Sequence, residues 1–229
     1  MYPIRDRIDW GAAVTETREA PRSARRDATR ERVLDAARDV FADRGVNGAT
    51  VEEICDRAGF TRGAFYSNFD DKADVLEALI EREHARLLAH LDATIALVED
   101  GHLALDVDSA PDLAAVVDQV LGSIPADREL TLVMTELEIH AVREPATASA
   151  FTDADARFRS RIAAVIERGM WLAGRELLAD ADDITDAAVA IVARSVRRAL
   201  LAGGDADPDA MARAILPLLL LGASRPRPD

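Results

Sequence analysis

Apolar residues recur at three- and four-residue spacing along most of this chain, with polar residues filling the intervals, which is the signature of amphipathic helices. From about Asp27 to Arg44, Val33, Leu34, Ala37, Val40 and Phe41 form one such stripe, and Gly45 ends it. A short run from Thr50 to Ala58 puts Val51, Ile54, Cys55 and Ala58 on one face, and Gly59 then turns the chain. Thr61 is placed as the N-cap of a second short helix with Ala64, Phe65 and Phe69 facing inward. Next comes a long helix starting near Asp70 and Asp71, whose stripe (Leu76, Leu79, Ile80, Leu87, Leu88, Leu91, Ile95, Val98) lasts about seven turns. A loop is expected from Gly101 to Pro111, followed by helices near 112–122, 127–143, 147–172, 184–202 and 208–221. Pro145 and the Gly203-Gly204 pair punctuate them, and Pro217 is expected to kink the last.

The pattern predicts an all-α protein. Residues 1 to 26 lack helical periodicity and read as a mobile N-terminal arm carrying Arg22, Arg25 and Arg26, with phosphate or minor-groove contact and a solvated tail as the two readings. Residues 27 to 72 form a three-helix head, and residues 73 to 229 a larger helical body. The head is too small to bury much by itself and should lean on the long helix that follows.

The segment 50–69 carries the most chemistry. Two short helices joined by a glycine-containing turn describe a helix-turn-helix. On the second helix, Arg62, Gly63, Tyr66, Ser67 and Asn68 face outward and supply donors, a stacking ring and a gap, a set that suits a DNA groove. Glu52, Glu53 and Asp56 should then point away from phosphate, leaving the first motif helix to touch DNA through its Thr50 end.

The run Ile54, Ala58-Gly59, Thr61-Arg62-Gly63-Ala64-Phe65-Tyr66, Asn68-Phe69 and Lys72 resembles the helix-turn-helix of the TetR family of bacterial transcriptional regulators. The likeness spans about 23 positions; Cys55 replaces the usual Ala and Phe60 the usual Val. It implies that Arg62 reads bases and that Gly63 lets the backbone come close. Thr50, Thr61, Tyr66, Ser67, Asn68 and Lys72 would then hold phosphates and set register. It further implies a homodimer built through the helices near 184–202 and 208–221, a palindromic operator in double-stranded DNA, and a small-molecule effector bound in the body.

Charge alters this picture only in part. The net charge is −14, but residues 1–72 carry 13 basic against 14 acidic groups while residues 73–229 carry 15 against 28. The acidity therefore belongs to the body, and a nearly neutral head is compatible with DNA without proving it. Lys72 is the one lysine; the other 27 basic residues are arginine. A single cysteine excludes an intramolecular disulfide and points to a reducing, cytoplasmic setting. Charges interrupt the first residues, so no signal peptide is read, and the apolar run Ala214 to Leu221 is too short to cross a bilayer.

No nucleophile elbow, phosphate-binding loop, zinc-protease or dinucleotide motif occurs, so no enzyme, cofactor or metal is expected. Glu136 and His140 sit one helical turn apart, a spacing that can supply two metal ligands on one face but more often makes a helix-surface contact or part of a polar pocket wall. A pocket in the body would draw on Met134, Leu137 and His140 from one helix and Phe158, Met170 and Trp171 from the next. The leading expectation is a homodimeric repressor released by a small apolar or amphipathic effector. The alternative keeps DNA binding but makes the body a protein-interaction module without a small effector.

Overall fold

The computed structural model describes residues 22–100, 110–122, 127–143, 149–203 and 206–228. Nine helices and two short strands follow in order among them: α1 (Arg22–Arg44), α2 (Val51–Ala58), α3 (Arg62–Tyr66), α4 (Lys72–Glu99), α5 (Ala110–Gly122), α6 (Arg128–Arg143), α7 (Ser149–Leu172), β1 (Arg175–Leu177), α8 (Ala181–Ala202), α9 (Ala210–Gly222) and β2 (Ser224–Pro226). The expected helices are all present, with ends shifted by a few residues. Pro217 lies inside α9, as expected. Two differences stand out. Arg22, Arg25 and Arg26 belong to α1 and not to an arm; residues 1–21 lie outside the described residues, as do Pro145 and Gly204. The antiparallel pair β1–β2, with Glu176 opposite Arg225, was not anticipated.

The strand pair is explained by one buried arginine. Arg175 donates from Nε to the Ser224 hydroxyl at 2.9 Å and from Nη2 to the Ser224 carbonyl at 3.1 Å. A buried guanidinium needs such partners, and supplying them ties the tail to the end of α7. Three-residue strands carry too little pattern to be read as alternation.

The head's core joins Leu34, Val40 and Phe41 of α1, Ile54 and Cys55 of α2, Phe65 of α3, Phe69, and Val75 and Leu79 of α4. It does not close by itself. Val133 and Leu137 of α6 are buried in the same cluster, so the body donates a wall to the head. Polar contacts follow the same seam: Arg38 pairs with Asp127 at 2.8 Å, and Glu136 accepts from the Val46 N–H at 2.9 Å. Arg82, almost buried on α4, pairs with Asp35 of α1 at 2.9 Å and with its neighbour Glu83 at 2.7 Å. A second core, at the other end of the body, packs Leu113, Val117 and Leu121 of α5 on Ala212 and Leu216 of α9.

Candidate nucleic-acid interface

Local chemistry builds the motif. Thr50 accepts from the Glu53 N–H at 3.2 Å while Glu53 accepts from the Thr50 N–H at 3.1 Å, a reciprocal capping box that starts α2. Gly59 ends it at φ 70°, where an L side chain is strained. The Phe60 N–H returns to the Cys55 carbonyl at 3.0 Å and the Gly59 N–H to the Asp56 carbonyl at 3.3 Å, so the turn is a Schellman closure. Thr61 then caps α3 by accepting from the Ala64 N–H at 3.3 Å. Phe65 and Phe69 are buried beneath α3 with ring centroids 5.8 Å apart, and they fix which face of this short helix points out.

That outward face holds Thr61, Arg62, Gly63, Tyr66 and Ser67, all exposed. A Cβ at Gly63 would meet nothing nearer than Thr61 Oγ1 at 3.8 Å. Internal packing therefore does not require this glycine, and its missing side chain leaves an open gap on the outer surface. Arg62 pairs with Glu52 at 2.8 Å, and Tyr66 beside it, then Glu52, raises the guanidinium pKa. Glu52 thus lies against the reading face, contrary to the expectation that it points away.

The other expected contact residues have their polar groups engaged within the protein. The Thr50 hydroxyl donates to Glu53 at 3.0 Å in addition to its N–H. Ser67 Oγ and Asn68 Nδ2 both donate to the Ala64 carbonyl at 2.8 Å, closing the C-terminal end of α3. Arg30 lies over the Phe69 ring at 4.4 Å and donates to the Asn68 carbonyl at 3.2 Å. Lys72 is the clearest reassignment. Its ammonium donates to the carbonyls of Val46 at 2.7 Å, Ala49 at 2.9 Å and Asn47 at 3.4 Å, which accounts for all three N–H bonds. It clamps the α1–α2 turn and has no donor left for a phosphate.

Cys55 is buried under α2, and burial, with Asp56 and Glu52 nearby, pushes its thiol above the usual range. A thiol held protonated is a poor redox sensor.

The expected pocket residues divide among three places. Met134, Phe158 and Met170 line a cavity of about 410 Å³ between α4, α5, α6, α7, α8 and α9. Leu137 and His140 line a separate cleft of about 290 Å³ between α6 and the start of α4. Glu136 lies in that cleft too, and its carboxylate accepts from the Val46 N–H, a contact between head and body. Trp171 lines neither space. It is half exposed and sandwiched by Arg168 at 4.8 Å and Arg227 at 4.6 Å. Sequence reasoning missed His84, Asp155 and Arg159, which line the large cavity. The 155–159 spacing of opposite charges was a legible sign of a helical pair, but not of where that pair faces. Among the described residues, no helix is long and apolar enough to cross a membrane.

A capped helix-turn-helix on a three-helix head, joined by one long helix to a helical body, defines a helix-turn-helix regulatory protein. The family model for bacterial regulatory proteins of the tetR family matches residues 33–79. Over 63 residues the chain is 44% identical to the transcriptional regulator SrpR of Pseudomonas putida, covering 27% of this chain and 30% of that protein. Over 54 residues it is 52% identical to the transcriptional repressor BepR of Brucella suis, covering 24% and 26%. These matches span about a third or less of the length of the curated relatives. Among solved structures, FadR of Bacillus halodurans superposes with a TM-score of 0.66 at 21% identity, over 87% of this chain and 97% of that one. SmeT, the repressor of a Stenotrophomonas maltophilia multidrug efflux pump, superposes at 0.59 with 25% identity, over 87% and 92%. The head of this chain is therefore that of the tetR family of bacterial regulatory proteins, and the body shares the fold of solved structures from that family.

Proposed function

We propose that this protein is a transcriptional repressor that binds a palindromic operator as a homodimer and releases it when a small amphipathic molecule fills the body. The observation that carries the DNA reading is the open face of α3. Arg62, Gly63 and Tyr66 stand out from two buried phenylalanines, with Thr61 and Ser67 beside them. Arg62 is the candidate for guanine N7/O6; Thr61, Tyr66 and Ser67 set register on the backbone. BepR and SmeT are named as repressors, which supports that direction of control.

Two further features support the rest of the reading. Leu200, Leu201, Ile215 and Leu218 of α8 and α9 are exposed large apolar residues, Leu201 to 82% and Leu218 to 59%, and a second copy would cover them. The large cavity supplies the effector site, and related folds have been solved with stearoyl-CoA and with choline. This favours a small effector over a body that serves only as a protein-interaction module. Two levers join cavity to head. Helix α4 carries both Leu79 in the head core and Leu91 in the cavity wall; α6 carries both Val133 and Met134 in the same way. An effector acts by binding more tightly to a conformation in which the two heads no longer match the half-site spacing.

The test is selection from a random duplex library by the purified protein. A twofold-symmetric site with half-sites roughly one helical turn apart is expected. Failure to enrich any sequence overturns the reading.

A further inference from the structure

Helices α4 and α7 run parallel along the large cavity. His84 stacks on Phe158 near one end, and Glu99 pairs with Arg168 at 2.6 Å near the other. From His84 to Val98, both cavity residues, α4 rises about 21 Å, whereas a sphere of the cavity's volume would be only about 9 Å across. The space is a slot. On these two helices its polar groups sit at the end nearer the head, where His84, Asp155 and Arg159 line it. Beyond them Leu91, Ile95 and Val98 face Ile162, Ile166 and Met170. Thr94 interrupts this stretch, and its hydroxyl is already given to the His90 carbonyl at 3.0 Å.

The charges at the polar end are matched within the protein. Asp155 pairs with Arg159 at 2.7 Å, and Arg159 also with Asp186 at 2.9 Å. Elsewhere in the lining, Arg197 pairs with Glu138 at 3.6 Å. An ionised ligand head would leave water and find no unpaired counter-charge. The imidazole of His84 is different. It lies flat on Phe158, with centroids 3.9 Å apart and planes 6° from parallel. Its ring nitrogens have no hydrogen-bond partner among the described residues. Burial lowers its pKa, so the ring stays neutral and offers one donor and one acceptor.

We propose that the slot takes an elongated, uncharged amphiphile, with an unbranched tail between α4 and α7 and a hydroxyl or carbonyl head hydrogen-bonded to His84. The inference rests on the effector reading of this cavity and names the ligand class. His84 lies on the helix that joins the cavity to the head, so the ligand's polar end is held on the lever itself.

Isothermal titration of the full-length protein with decan-1-ol, methyl decanoate, decanoate and decylamine at pH 7.5 compares four heads on one chain length. The neutral pair is expected to bind at least tenfold more tightly than either ion. His84→Phe keeps a stacked ring but removes both nitrogens, and is expected to weaken decan-1-ol about tenfold. His84→Gln keeps a hydrogen-bonding group and is expected to retain the preference for neutral heads, which guards against a variant that fails to fold. Tighter binding of decanoate or decylamine, or unchanged affinity of His84→Phe, overturns the head chemistry and leaves the effector reading standing. Absence of binding by all four overturns both.

Discussion

Arg62 Nη1 lies 2.8 Å from the Glu52 carboxylate, so the residue proposed to read a base is held by an acid from the other helix of the motif. Both side chains are exposed, and a pair of this kind contributes little to stability. Its consequence lies in binding, because Arg62 must leave Glu52 to reach a guanine edge. Arg62→Ala is expected to cost ~1–3 kcal/mol on the selected operator and to relax base preference at one position. Glu52→Gln is expected to tighten binding to every sequence severalfold, since it frees Arg62 and removes a negative charge near phosphate. Gel-shift titrations on operator and scrambled duplex read both effects, and equal affinity of Arg62→Ala for the cognate site would sink the base-reading role.

Lys72 separates two roles by salt dependence. With its three donors on carbonyls of the α1–α2 turn, Lys72→Met is expected to cost the fold ~2 kcal/mol in chemical unfolding. The slope of log affinity against log salt is expected to stay unchanged. A phosphate contact would instead lower that slope by about one, with little change in stability.

Gly45 stands at φ 75°, and a Cβ there would come within 2.8 Å of Glu136 Oε1. Gly45→Ala is expected to destabilise by ~1–3 kcal/mol, from the left-handed backbone and from displacement of the carboxylate that holds Val46. If the clash with Glu136 contributes, Gly45→Ala combined with Glu136→Ala costs less than the two single variants added. Strict additivity in urea unfolding would show that the two residues do not interact.

His84 predicts a dependence on pH. Burial, opposed in part by Asp155, depresses its pKa below the ordinary 6.5, so near pH 6 the unfolded chain binds more protons than the folded one. Stability from the half-buried neutral ring is therefore complete above about pH 7 and falls as pH drops through 6.5 towards the folded value. His84→Phe lacks this titration. The stability difference between wild type and variant, from urea unfolding between pH 7.5 and 5, is expected to shift against the wild type as pH falls. A constant difference would mean that the ring titrates as if in water.

The exposed leucines of α8 and α9 make the assembly testable. Leu201→Glu combined with Leu218→Glu is expected to yield monomers in analytical ultracentrifugation and to weaken operator binding at least a hundredfold, because one head contacts only one half-site. Retention of a dimer would place the interface elsewhere.

Helix positions, the Gly59 turn, the Thr61 cap and the inward set of Phe65 and Phe69 were legible from the sequence alone, whereas the Thr50–Glu53 capping box was not read there. Each follows from spacing and residue type within one or two turns, where periodicity and capping act locally. The outward identity of Arg62, Gly63 and Tyr66 was legible for the same reason. What each polar group does was decided only by tertiary structure. Lys72 and Glu136 are recruited by backbone groups roughly 26 and 90 positions away in the chain, and no local pattern encodes such pairings. The cavity was hidden likewise. Apolar residues on α4 and α7 look the same in sequence whether a neighbouring helix fills the space between them or leaves it open, and packing alone separates Leu79 in a core from Leu91 in a wall.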